Sequence, residues 1–101
     1  MWVIAMFDLP TDTPKARKAY TRFRKDLLND GFTMMQYSVY IRHCASIENA
    51  KVHAARMGRR VPSAGEVRFL TITDKQFGRM ETYVGKTRKA PSNPPAQLEF
   101  F

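Results

Sequence analysis

Trp2-Val3-Ile4-Ala5-Met6-Phe7-Asp8-Leu9-Pro10 opens the chain with an unbroken apolar run closed by an acid and a proline. Its β-branched and aromatic residues, over so short a length, predict a strand rather than a helix. A strand with one wet face alternates apolar and polar residues. This one is apolar at every position up to Asp8, so both of its faces should be covered.

Reading outward, Thr13 before Pro14 is an N-cap followed by proline at the first helical position, and Gly31 supplies a left-handed stop, which predicts a helix between them. Ala16, Ala19, Tyr20, Phe23, Leu27 and Leu28 recur at helical spacing as its buried stripe, while Lys15, Lys18, Arg22 and Lys25 recur on a different one. Phe32 to His43, rich in Tyr, Val, Ile, Met and Thr, reads as two strands parted near Gln36 to Ser38. Ser46 caps a second helix, with Glu48 in its first turn, Arg56, Arg59 and Arg60 at its end, and Ile47, Ala50, Ala54 and Met57 buried. Glu66 to Thr73 alternates as a fourth strand, with Val67, Phe69 and Thr71 on one face. Asp74-Lys75 is expected to turn the chain, and Met80 to Val84 to add a short strand. The segment 1–85 is then one domain, 86–95 a basic, proline-containing linker, and 96–101 a hydrophobic tail that needs a surface to dock on.

The order β-α-β-β-α-β is the ferredoxin-like plan of the α+β class, an antiparallel sheet with both helices on one face and here an additional C-terminal strand or tail. The uninterrupted apolar first strand predicts a homodimer whose sheets pack face to face across the surface that the helices leave bare.

With 101 residues and 44% hydrophobic content the chain suits one domain and excludes a two-domain cofactor enzyme. Its net charge of +8 favours polyanions, nucleic acid first. A single cysteine, Cys44, excludes an intramolecular disulfide framework, and with only His43 and His53 beside it no zinc spacing can be assembled. No export signal or membrane span is visible, so a cytoplasmic location is expected.

Met6-Phe7-Asp8-Leu9-Pro10, Arg17-Lys18-Ala19-Tyr20, Asp30-Gly31-Phe32, Gln36-Tyr37-Ser38-Val39-Tyr40 and Leu70-Thr71-Ile72-Thr73-Asp74-Lys75-Gln76-Phe77-Gly78 together resemble CRISPR-associated protein 2, the small adaptation subunit, from Trp2 to about Gly85. Asp8-Leu9-Pro10 and Thr73 to Gly78 resemble its type II branch. The resemblance implies a ferredoxin-like homodimer that bridges two dimers of the integrase, CRISPR-associated protein 1, while holding a double-stranded DNA protospacer. It also implies that the tail, through Gln97, Leu98, Phe100 and Phe101, docks on that partner.

Asp8 stands where the family has its metal-linked Asp. A twofold axis beside it would let two Asp8 carboxylates share Mg²⁺ or another divalent cation, completed by water and phosphate oxygens, for phosphodiester cleavage. Lys15, Arg17, Lys18, Arg22 and Lys25 are read as phosphate contacts that hold nucleic acid of any sequence. Arg56, Arg59 and Arg60 rank second as phosphate contacts, since they could equally complement the dipole at a helix end. Ser38 has no visible general base and is expected to pack in a strand, and Tyr20, Phe23, Tyr37 and Tyr40 are expected in the core. Neither histidine shows a recognisable pairing with a carboxylate. The alternatives are an endonuclease cleaving RNA or DNA on its own, and a toxin-like ribonuclease of the same fold, against which the tail and the Asp74 to Gly78 segment argue.

Overall fold

A computed structural model describes residues 1–90. Strand β1 (Trp2–Asp8) leads into helix α1 (Pro14–Asn29), then β2 (Thr33–Gln36), β3 (Val39–His43), helix α2 (Ile47–Gly58), β4 (Glu66–Ile72), a short helix α3 (Asp74–Gly78), β5 (Thr82–Val84) and β6 (Thr87–Lys89). The main sheet is antiparallel with strand order β2-β3-β1-β4, which is the ferredoxin-like arrangement. The apolar run with which the chain opens is therefore a central strand, hydrogen-bonded on both edges.

Local chemistry sets the element ends. Thr13 and Ser46 accept from the backbone N–H groups of Ala16 and Asn49 as helix N-caps. At the other end of α1, Gly31 at φ +93° reverses the chain so that the Phe32 N–H bonds back to the Leu27 carbonyl at 3.0 Å. The β2–β3 turn falls at Tyr37 and Ser38, with Ser38 at φ 62° and a register shift between Met34 and Gln36. Ser38 is thus a turn residue rather than a strand-packing one, and its carbonyl accepts the Phe7 N–H at 3.0 Å.

One face of β1 makes the core. Val3, Ala5 and Phe7 pack with Phe23 and Leu27 of α1, Ala50 and Met57 of α2, and Tyr40 of β3. Both helices therefore lie on the same side. The alternate residues Trp2, Ile4, Met6 and Asp8 point to the opposite face, where Ile4 is flanked in the ladder by Ile41 and Leu70, and Met6 by Val39 and Arg68. Leu70 is 49% exposed there.

Two expectations change beyond β4. Asp74-Lys75 does not simply turn the chain but begins α3, closed by a capping box in which Thr73 and Gln76 exchange side-chain and backbone bonds. The helix lays Phe77 flat on Trp2, with ring centroids 4.0 Å apart, and so covers one end of the bare face. The short strand β5 forms, but it pairs with β6 as a separate hairpin. Strand β6 falls within the stretch 86–95 expected as linker, and the tail 96–101 lies outside the described residues.

A polar contact holds α3 in place. One Asp74 carboxylate oxygen lies 2.7 Å from the Met1 ammonium and 3.0 Å from His43 Nε2. Partial burial pushes the Asp74 carboxyl up, but the hydrogen bonds and charges of the ammonium and His43 outweigh it and hold the group below its ordinary value. A carboxyl lowered in the folded state favours folding above its unfolded pKa of about 3.9, and that contribution is lost as pH falls through the folded value. The unfolding temperature should accordingly fall below about pH 4, and Asp74→Asn should make that acid limb shallower. Identical acid limbs in thermal melts of both proteins would remove Asp74 from this account.

Candidate nucleic-acid interface and carboxylate site

Helix α1 carries five of the predicted contacts, all of them exposed: Lys15, Arg17, Lys18, Arg22 and Lys25. At 100° per residue Lys15, Lys18, Arg22 and Lys25 share one side of the helix, while Arg17 stands on another flank and donates from Nη1 to the Thr11 carbonyl at 3.1 Å. None of the five makes an ion pair among the described residues. Their charge is available to an outside ligand.

The structure adds what spacing along one helix could not show. Arg56, Arg59 and Arg60, ranked second from the sequence, line the same broad groove as the α1 cations, together with the Pro62 to Ala64 loop. Eight lysines and arginines face this groove, against the carboxylates of Asp12 and Asp26 only. The position of Arg56, Arg59 and Arg60 at a helix end has a sufficient local explanation, so spacing alone does not set them beside α1. The only sequence signal was their number.

A buried polar clasp holds the two helices together at one end. The Asp30 side chain, 7% exposed, places one oxygen 2.7 Å from His53 Nδ1 and the other 2.6 Å from Arg56 Nη1. Arg42 Nε, from β3, donates to the Asp30 carbonyl at 2.7 Å. The expectation that neither histidine pairs with a carboxylate is overturned twice, by His53 with Asp30 and by His43 with Asp74. Separations of 23 and 31 residues hide both pairs from any local reading.

Asp8 ends β1 on the sheet face turned away from the helices, exposed, and directly opposite Glu66 of β4 in the ladder. Directly opposed residues share one face, so Asp8 and Glu66 are cross-strand neighbours, although the Glu66 carboxylate pairs with Arg68. Among the described residues no group of three or more His, Cys, Asp or Glu could hold a metal ion. The oxygen-only pair nevertheless suits a hard cation such as Mg²⁺, which takes one or two carboxylates and leaves the rest of its shell to water and phosphate. The backbone of Asp8 is closely packed: a Cβ at Gly65 would lie 2.7 Å from its carbonyl oxygen, and Gly65 itself is at φ +94°.

The aromatic residues divide. Phe23 and Tyr40 are buried and Tyr20 packs against the core, as expected, but Tyr37 is 89% exposed at the β2–β3 turn. Gln97, Leu98, Phe100 and Phe101 lie outside the described residues. No helix among the described residues is long and apolar enough to cross a membrane.

The family model described as CRISPR associated protein Cas2 matches residues 1–80. The chain is similar to a protein of Parvibaculum lavamentivorans named CRISPR-associated endoribonuclease Cas2, 76% identical over 101 residues that span both chains in full. A protein of the same name from Flavobacterium psychrophilum is 50% identical, over all of this chain and 88% of its own. A crystal structure of Streptococcus pyogenes Cas2 has the same fold, with a TM-score of 0.62 at 24% identity, covering 83% of this chain and 100% of that one.

The packing at the end of β1 can be tested directly. Gly65→Ala combines an unfavourable positive φ with a clash against Asp8 and Leu9, and should destabilise the protein by about 1–3 kcal/mol. At this size that lowers the unfolding temperature by about 4–8 °C per kcal/mol. An unchanged melting temperature would show that the strand end can shift at no cost.

Proposed function

Because the chain belongs to the CRISPR associated protein Cas2 family, we propose that it serves CRISPR spacer acquisition as a dimeric scaffold for double-stranded DNA, bridging dimers of the integrase, CRISPR-associated protein 1. The observation that carries this reading is the run of exposed α1 cations without carboxylate partners. Such residues contact phosphates and fix a duplex in place without reading its bases, as a protein that accepts spacers of any sequence requires. The bare sheet face supports the dimer: Ile4, Met6, Val39, Ile41 and Leu70 form an apolar surface opposite the helices, and a second copy would cover it by the commonest closed symmetry. Two-fold pairing would double the cationic surface. The tail residues Gln97, Leu98, Phe100 and Phe101 are assigned to the integrase contact.

A second reading is favoured by the name that the relatives carry, endoribonuclease. In it the two Asp8 carboxylates of the dimer, with Glu66 beside each, would hold Mg²⁺ or another divalent cation. The cation would supply Lewis acidity at a phosphoryl oxygen and a bound water of lowered pKa. The chain's own contribution is position: Asp8 sits at the end of a central strand whose backbone Gly65 packs against, so its carboxylate is presented from a rigid element. The cations hold the phosphate backbone. Among the described residues Glu66 is the one further acid placed opposite Asp8 in the ladder, so slow turnover is expected.

Duplex affinity should fall steeply with salt, the slope of log K against log salt being about −0.9 per neutralised phosphate. Arg17→Ala with Arg22→Ala should weaken binding equally for all sequences and reduce that slope by about two per protomer, as read by fluorescence anisotropy across a salt series. Salt-independent binding would defeat the scaffold reading. For the metal site, Asp8→Ala should abolish Mg²⁺-dependent cleavage while leaving duplex affinity intact. Undiminished cleavage in that variant would remove the site from Asp8.

A further inference from the structure

We propose that Arg68 is the substrate-binding residue of the Asp8 site, the guanidinium on the bare sheet face that takes the phosphate of the strand to be cleaved. This rests on the second reading above, in which Asp8 helps to hold a divalent cation. The strand register places the residue. Arg68 stands directly opposite Met6 in the ladder and two residues from Glu66, the partner of Asp8, so it is the diagonal neighbour of Asp8 on the same face. Diagonal neighbours lie about 7–8 Å apart, within the reach of a long side chain.

Charge gives it the task. A phosphodiester that meets Asp8 and Glu66 brings a third negative charge to two carboxylates, and like charges repel. The α1 cations cannot offset this, because both helices pack on the other side of the sheet. Of the residues that β1, β3 and β4 turn to the bare face, Arg68 is the single lysine or arginine, and β2 contains neither. Positive charge on this face of the strands therefore comes from Arg68.

The arginine is held ready. Its ion-pair partner among the described residues is Glu66, and the two side chains are 71% and 63% exposed. So exposed a pair is weak and exchanges readily. Strand β4 is the outer strand of the sheet, so a ligand can approach Arg68 from an open edge. Once Glu66 serves a cation together with Asp8, the guanidinium is free, and its planar fork matches two phosphate oxygens.

The probe is a fluorescently labelled homopolymeric oligoribonucleotide, cleaved in Mg²⁺ by the full chain, with the binding of Mg²⁺ alone read by isothermal titration calorimetry. Arg68→Gln should raise KM about tenfold and keep kcat within about twofold, since a contact made equally in ground and transition states acts on KM. The same variant should bind Mg²⁺ about threefold more tightly, because Glu66 has lost its guanidinium partner and a nearby positive charge is gone. Arg68→Lys, which keeps the charge but not the fork, should give a KM between those of wild type and Arg68→Gln. An unchanged KM in Arg68→Gln, while Asp8→Ala is inactive, overturns the inference and leaves the Asp8 site standing. Mg²⁺ affinity that is unchanged or weaker in Arg68→Gln makes the arginine a brace for β4 and also overturns it. Wild type that neither binds Mg²⁺ nor cleaves the oligoribonucleotide removes the Asp8 reading, and the role of Arg68 with it.

Discussion

Every other feature of this molecule depends on β1 lying at the centre of the sheet. Its backbone is bonded to β3 on one edge and β4 on the other, its odd residues Val3, Ala5 and Phe7 hold both helices, and its even residues set the character of the opposite face. Burying one large apolar side chain is worth about 1.5–3 kcal/mol, and β1 buries several within a few residues. The strand also ends in Asp8, so the segment that organises the core places that carboxylate at one end of the bare face.

Two polar contacts then fix what apolar packing leaves free. Asp30 binds His53 and Arg56 at the base of the α1–α2 groove, and Asp74 binds the Met1 ammonium and His43 beneath α3. Apolar burial is non-directional, so a helix on a sheet can slide or rotate at modest cost. A hydrogen bond of near 2.7 Å to a carboxylate is directional and resists such movement. The first contact sets the separation of the two cationic sides of that groove. The second holds Phe77 against Trp2 and so defines how much of the sheet face stays uncovered. Surfaces on opposite sides of the molecule are thus each aligned by one buried or half-buried aspartate.

Those aspartates also explain which parts of the molecule could be read from the chain and which could not. Strand and helix positions follow from periods of two and of about 3.6, and from caps such as Thr13, Ser46 and Gly31, all expressed within a few neighbouring residues. The α1 cations and Asp8 belong to the same class, being marked by spacing on one helix and by a strand's end. The residues that escaped are those whose partners lie far away in sequence. His53 meets Asp30 across 23 residues, and Arg60 faces the α1 lysines only because α2 packs alongside α1. The spacing of the aromatic residues alone places Tyr37 in the core, whereas the positive φ of the neighbouring Ser38 turns the chain there and leaves it exposed.

The order of elements, an apolar first strand covered on both faces, the capping of both main helices, the excess of positive charge and the family are all legible in the chain. These are local or additive properties, present in every conformation of the chain. Only folding places Glu66 beside Asp8 and turns three arginines of α2 and its end towards the cations of α1. Each of these is a relation between residues that become neighbours only when the sheet has formed, since register and helix packing are set by the whole core and by no single segment of it.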